Sequence, residues 1–253
     1  MRTAADTTSR APGGARVAHV SIVGRGRVGS ALAAAFREAG LEVDGPFGRG
    51  EVPAGCDAVL LCVPDAAIPE AAAAVSGAAP LVGHTSGATP LSALDAAGGE
   101  AFGMHPLQTV AGSGTDFTGC GCAVAGSTPA ALAAATELAV LLGMRPFELD
   151  DSRRAAYHAA ASIASNFLVT LEAAAESMAG AAGVEDARAL LGPLVRSTVE
   201  NWVELGPQRA LTGPVARGDE ATVAKQRAAV AAARPELLEL FDAMVARTRE
   251  LAS

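Results

Sequence analysis

The sequence predicts an α/β domain with a parallel sheet, followed by an all-α domain. Three observations carry this reading. Short apolar runs alternate with helix-like segments as far as Leu149, a glycine-rich turn follows the first run, and beyond Asp150 no strand candidate remains. Strands separated by helices imply parallel pairing in an open sheet covered on both faces.

Taken in order, residues 17–23 read as a strand and 27–39 as a helix that stops at Gly40, a residue suited to a C-terminal cap. Residues 41–47 form a weak second strand, interrupted by Gly45 and Pro46. The run AVLLCV over 58–63 is the clearest buried strand, and Pro64 stops it. A helix over 68–75, short strands over 81–84, 101–104 and 122–125, a helix over 129–142 and a strand over 145–149 complete the first domain. After it, 152–180, 184–205 (around Pro193), 219–233 and 235–251 all read as helices. The predicted organisation is therefore a disordered tail over 1–15, a domain over 16–150 and a helical domain over 151–253.

Gly24-Arg25-Gly26-Arg27-Val28-Gly29 fits G-x-G-x-x-G. In a chain with 28 glycines the hexapeptide alone says little, but here it follows a strand and opens a helix. In that context the first glycine permits a tight turn, the second lets backbone approach a pyrophosphate, and the third packs helix on strand. The helix start offers free N–H groups and a positive dipole end. This is the Rossmann type of dinucleotide-binding unit. The end of the second strand selects the nucleotide: an acid there suits NAD, an arginine suits NADP. Phe47 holds the acid's place, Asp44 lies inside the strand and Arg49 sits just beyond it, with Arg25 and Arg27 adding positive charge. NADP is the expected cofactor.

Half of the 253 residues are hydrophobic and the net charge is −8, which argues against a nucleic-acid or anionic-membrane partner held by bulk charge. No apolar stretch is long enough to span a membrane, and residues 1–15 lack a signal-peptide core, so a cytoplasmic protein is expected. Cys56, Cys62, Cys120 and Cys122 lack the spacing of a metal set and read as small core hydrophobes.

His19 falls inside the first strand and reads as structural. His84 with Ser86, and His105 with Pro106, follow short strands, so both motifs belong at the sheet edge where ligands of open α/β sheets bind. On the alanine-rich helix after Asp150, His158, Ser162, Ser165 and Asn166 share about a third of the circumference at ~100° per residue. Such a stripe needs partners, water or ligand, and His158 is a candidate proton donor.

The segments VSIVGRGRVGSALA, LLCVPDAAI, GHTSGA, GMHPLQT, YHAAASIASNF and LTGPVARGD, in this order, resemble the Rossmann-like proteins with a helical C-terminal domain of long-unknown function. That family lies within the 6-phosphogluconate dehydrogenase-like superfamily, and some members are regarded as alternative ketopantoate reductases. The resemblance implies an NADP-dependent oxidoreductase and a homodimer, with hydride transfer to a small 2-keto acid in an interdomain cleft. Reduction of an imine, dehydrogenation in a specialised pathway, and a non-catalytic NADP sensor are the alternatives. Related reductases carry a Lys and an Asn on the first long helix of the second domain. Here His158 or a neighbour takes the lysine's place, Lys225 being the only lysine and too distant in sequence, while Asn166 keeps the amide role. His105-Pro106 resembles a pair near the substrate in prephenate dehydrogenases, and Arg217 is a candidate for a substrate carboxylate. The expected division of labour follows. Gly24, Arg25, Gly26, Arg27, Val28, Gly29 and Arg49 hold the dinucleotide, Val63, Pro64 and Ser86 lie near its nicotinamide half, His158 donates a proton, and His105 and Asn166 orient the substrate.

Overall fold

A computed structural model describes residues 17–253, so the tail expected over residues 1–15 lies outside the described residues. The chain forms two compact units, one ending at Ser162 and one starting at Ile163.

The first unit runs β1 (His19–Val23), α1 (Arg27–Glu38), β2 (Glu42–Phe47), β3 (Ala58–Leu61), α2 (Ile68–Ala74), β4 (Leu81–His84), β5 (Glu100–Pro106), β6 (Gly121–Gly126), α3 (Pro129–Leu141), β7 (Arg145–Glu148) and α4 (Arg154–Ser162). Its strands form one sheet in the order β2-β1-β3-β4-β5-β6-β7. Alternation along the strands sorts side chains to two faces. Val20, Ile22 and Leu60 join Leu32 and Phe36 of α1 and Leu138 of α3 on one face. Val59, Leu61 and Val82 join Ile68 and Ala72 of α2 and Leu94 on the other. The sheet is thus covered on both sides, as helices between parallel strands require.

Two expectations need correction. The sheet is not wholly parallel, because β5 and β6 pair antiparallel, from Phe102 with Gly126 to Pro106 with Cys122. The segment between them forms no helix, and without a crossover element the chain folds straight back beside the strand it left. The interruption expected of β2 at Gly45 and Pro46 is present as a register shift between the Ser21 and Val23 pairs, after which Phe47 still pairs with Val23. Second, the helix expected over 152–180 is not uniformly α. A π-helical turn occupies Ile163–Phe167.

Gly40 behaves as its sequence position implies: its φ is +86°, and Leu41 N–H donates to the Phe36 carbonyl across the end of α1.

The second unit contains the π-turn, α5 (Leu168–Ala181), α6 (Ala187–Leu205, with Pro193 inside), α7 (Pro207–Ala210), α8 (Glu220–Ala233) and α9 (Leu238–Ala252). Asp219 caps α8 by accepting from Thr222 N–H at 3.0 Å. Bidentate Arg227–Asp242 contacts join α8 to α9. Its buried hydrophobic residues are Ala187, Val223, Val230 and Val245, whereas Leu190, Leu194, Val199, Trp202 and Val203 of α6 are exposed. Among the described residues, no helix is long and apolar enough to cross a membrane.

Candidate functional site

Gly24, Gly26 and Gly29 are glycine for different reasons. Gly24 has φ +119°, and a Cβ there would lie 2.2 Å from the Cys62 carbonyl oxygen. A Cβ on Gly29 would lie 2.0 Å from the Gly24 carbonyl oxygen. The protein's own packing demands both. Gly26 differs: a Cβ there would meet no atom within 4 Å, and its φ of −72° suits any residue. It stands as N-cap of α1, with no capping side chain and no acid in the first turn, so the helix presents free N–H groups to an open side. Arg25 and Arg27 are exposed, while Val28 packs against the core.

Beyond β2, Arg49 is exposed. Asp44 bonds to Nε2 of His19 at 2.9 Å, which occupies the carboxylate inside the strand and gives His19 the structural place expected of it. Arg25 is engaged too. Its Nη2 lies 2.8 Å from both Glu51 oxygens, and Glu51 also accepts the Gly48 N–H at 2.6 Å. Glu51 carries no signal in the sequence because it sits in the loop that folds back from β2 and not at the strand end where a nucleotide-selecting acid is expected.

Val63 and Pro64 follow the carboxyl end of β3, Val63 half-buried and Pro64 exposed. At the end of β4, His84 is fully buried and its Nδ1 accepts the Ser86 N–H at 3.2 Å. Its Nε2 has no hydrogen-bond partner among the described residues. Burial, and then the Arg154 charge, pushes His84 down to about 4. Ser86 Oγ accepts from the Ala88 and Thr89 N–H groups and donates to Thr89 Oγ1, so this hydroxyl builds the turn after β4.

His105, near the end of β5, faces α4. Its Nδ1 lies 2.7 Å from the Tyr157 hydroxyl, and the two rings meet edge to face with centroids 5.5 Å apart. The His158 ring lies 6.3 Å from that of His105. Gly87 sits against both: a Cβ there would approach His105 Nε2 and His158 Cδ2 to 3.0 Å. Below them Arg154 is buried, bonded through Nε to Asp151 at 2.5 Å and lying across Gly103 of β5. Burial first, then the neighbouring His158 and Arg154, pushes His105 down to about 4, and burial pushes the Tyr157 phenol up to about 12. Both rings are therefore uncharged near neutrality, which makes the pair a hydrogen-bonding device. Tyr157 was not singled out in the sequence, although it immediately precedes His158 on the helix.

Asn166 and Arg217 belong to the second unit. Asn166 lies in the π-turn, so the regular helical wheel that grouped it with His158 does not run through its position.

The two depressed histidines carry a pH signature. Between their ordinary value of 6.5 and about 4, the unfolded chain binds protons that the folded chain does not. Stability should be full above that window and fall on acidification through it, by up to ~1.4 kcal/mol per pH unit for each histidine. His84→Asn, which keeps an acceptor for Ser86, should flatten the slope. Urea titrations at about pH 7 and about pH 5 check this, and equal slopes in the two proteins would refute it.

Comparison with curated proteins finds no match. Solved structures do match. A Bacteroides fragilis protein named as a candidate NADP oxidoreductase aligns with TM-score 0.79 and 20% identity, covering 92% of this chain and 98% of that one. Protein TM1727 from Thermotoga maritima aligns with TM-score 0.74 and 21% identity, over 92% of this chain and 98% of its own. A reductive aminase from Aspergillus terreus, in complex with NADPH and ethyl levulinate, gives TM-score 0.66 and 19% identity, over 92% and 93%. At these identities the likeness is one of fold: a Rossmann-type sheet followed by helices. One family model, described as a domain of unknown function (DUF2520), matches residues 120–248. The chain belongs to this DUF2520 family.

Proposed function

We propose that this chain is an NADP(H)-dependent oxidoreductase that reduces a small 2-keto acid, in the manner of a ketopantoate reductase. The observation that carries the reading is the contrast among the three glycines. Gly24 and Gly29 are required by packing, whereas Gly26 keeps a helix start clear of protein atoms, as close approach of a pyrophosphate requires. The turn therefore supports a dinucleotide site, in which Arg49 is assigned to a 2′-phosphate and Val63 and Pro64 to the adjoining strand end. NADPH held there would supply a hydride.

The chain's own residues handle the proton and the orientation. With the Tyr157 phenol donating to Nδ1, His105 carries its proton on Nε2, beside Gly87, where a neutral ring can donate to a carbonyl oxygen without losing its own proton. His158, exposed to solvent and beside the same glycine, is the group that returns a proton to the product alkoxide. The likeness to reductive aminases favours a second reading, in which the acceptor is an imine and the product an amine. The exposed large apolar side chains of α6, Leu190 and Leu194 in one half and Val199, Trp202 and Val203 in the other, support a homodimer formed through the second unit.

Three measurements test this reading. Gly26→Val should fold with only the small loss of stability expected at an N-cap yet lose NADPH binding, whereas Gly29→Ala should lower stability far more; retention of binding by Gly26→Val would exclude the turn. Nicotinamide absorbance with a panel of 2-keto acids and cyclic imines should show turnover that His158→Ala reduces by about 10²-fold or more. NADPH binding without oxidation across the panel would favour a sensor, and undiminished turnover in His158→Ala would remove its role. In sedimentation equilibrium the wild type should be dimeric and Leu194→Glu should be monomeric; a monomeric wild type ends the dimer proposal.

A further inference from the structure

The loop after β2 is held by an ion pair to the phosphate turn. Glu51 meets Arg25 through both carboxylate oxygens and accepts the Gly48 N–H, so residues 48–51 fold around it with Arg49 inside the turn. Arg25 also donates through Nε to the Pro46 carbonyl at 3.2 Å, and its guanidinium lies over Gly48, where a Cβ would come within 3.1 Å of it. Arg25 is thus neutralised at the place where the end of β2 meets the phosphate turn. Asp44, the other carboxylate of this region, is turned to His19.

From this geometry we propose that Glu51 sets the chain's preference between phosphorylated and unphosphorylated dinucleotides, by holding Arg25 as its counter-ion. The inference rests on the dinucleotide reading above. A 2′-phosphate approaching Arg49 meets the charge of Glu51 and an Arg25 whose own charge is already balanced. A 2′-hydroxyl at the same place meets a carboxylate able to accept from it. The side chains are 64% and 47% exposed, and solvent-screened pairs of this kind are weak. A dianionic phosphate can therefore displace Glu51 from Arg25, so the pair tunes the preference without forbidding either nucleotide. The hydrogen bond from Gly48, and then the Arg25 charge, holds the Glu51 carboxyl below its ordinary range, so the counter-ion persists at neutral pH.

The test is binding, with no substrate needed. NADPH and NADH are titrated into the full chain by nicotinamide fluorescence at low ionic strength, using wild type, Glu51→Gln, Arg25→Met and the double variant. Glu51→Gln is expected to tighten NADPH by about fivefold and to leave NADH unchanged or weaker, so the ratio of the two Kd values rises. That gain should shrink when Arg25 is already methionine. Glu51→Ala, which also lacks the carboxylate, should give the same shift and covers a folding failure of the amide variant. A ratio that stays constant or falls in folded Glu51 variants overturns the role of Glu51 while leaving the dinucleotide reading intact. Failure of the wild type to bind either nucleotide overturns that reading, and this inference with it.

Discussion

The close approach of β1 to β3 at their carboxyl ends is the constraint on which the candidate site depends. Cys62 N–H donates to the Val23 carbonyl at 2.7 Å, and Gly24 N–H donates to the Phe47 carbonyl at 2.9 Å. One strand further, Thr85 N–H donates to the Leu61 carbonyl. These bonds extend the parallel ladder past the last paired residues and bring the ends of β2, β1, β3 and β4 to one edge of the sheet. The approach is so tight that any side chain on Gly24 would strike the Cys62 backbone. The glycine turn, Val63 and the His84 turn all take their positions from it.

The same edge holds three of the four buried polar or charged residues among the described residues, His84, Ser86 and Arg154, the fourth being Ser21 of β1. Arg154, buried and bonded to Asp151, lies near two histidines whose neutrality it helps to enforce. A buried cation is tolerable only with a partner, and Asp151 provides one while also accepting the Leu91 N–H. His105 and Tyr157 then face one another as neutral groups joined by a hydrogen bond, with an exposed histidine beside them. A chain of net charge −8 thus places the Arg154–Asp151 ion pair beside a pair of uncharged rings.

Much of the fold was legible because periodicity is a local property. The run at 58–61, the turn at 24–29 and the cap at Gly40 announce themselves through residue type and spacing. The direction of β6 did not, since strand direction depends on what the preceding segment builds, and the segment after Pro106 builds no crossover helix. The π-turn at Ile163–Phe167 was hidden because an alanine-rich stretch carries no mark of a single extra residue per turn. Tyr157 was overlooked beside the more familiar His158, and Glu51 because its reach to Arg25 spans a loop.

By itself the sequence determined the alternation of strands and helices, the glycine turn, the NADP-leaning charge pattern around Arg49 and the histidines worth watching. Each follows from the chemistry of neighbouring residues. Only the tertiary structure decided that Asp44 belongs to His19, Arg25 to Glu51, His105 to Tyr157 and Arg154 to Asp151. Three of those pairs join separate elements of the fold, and which groups remain free for a ligand is known only after such partners have been found.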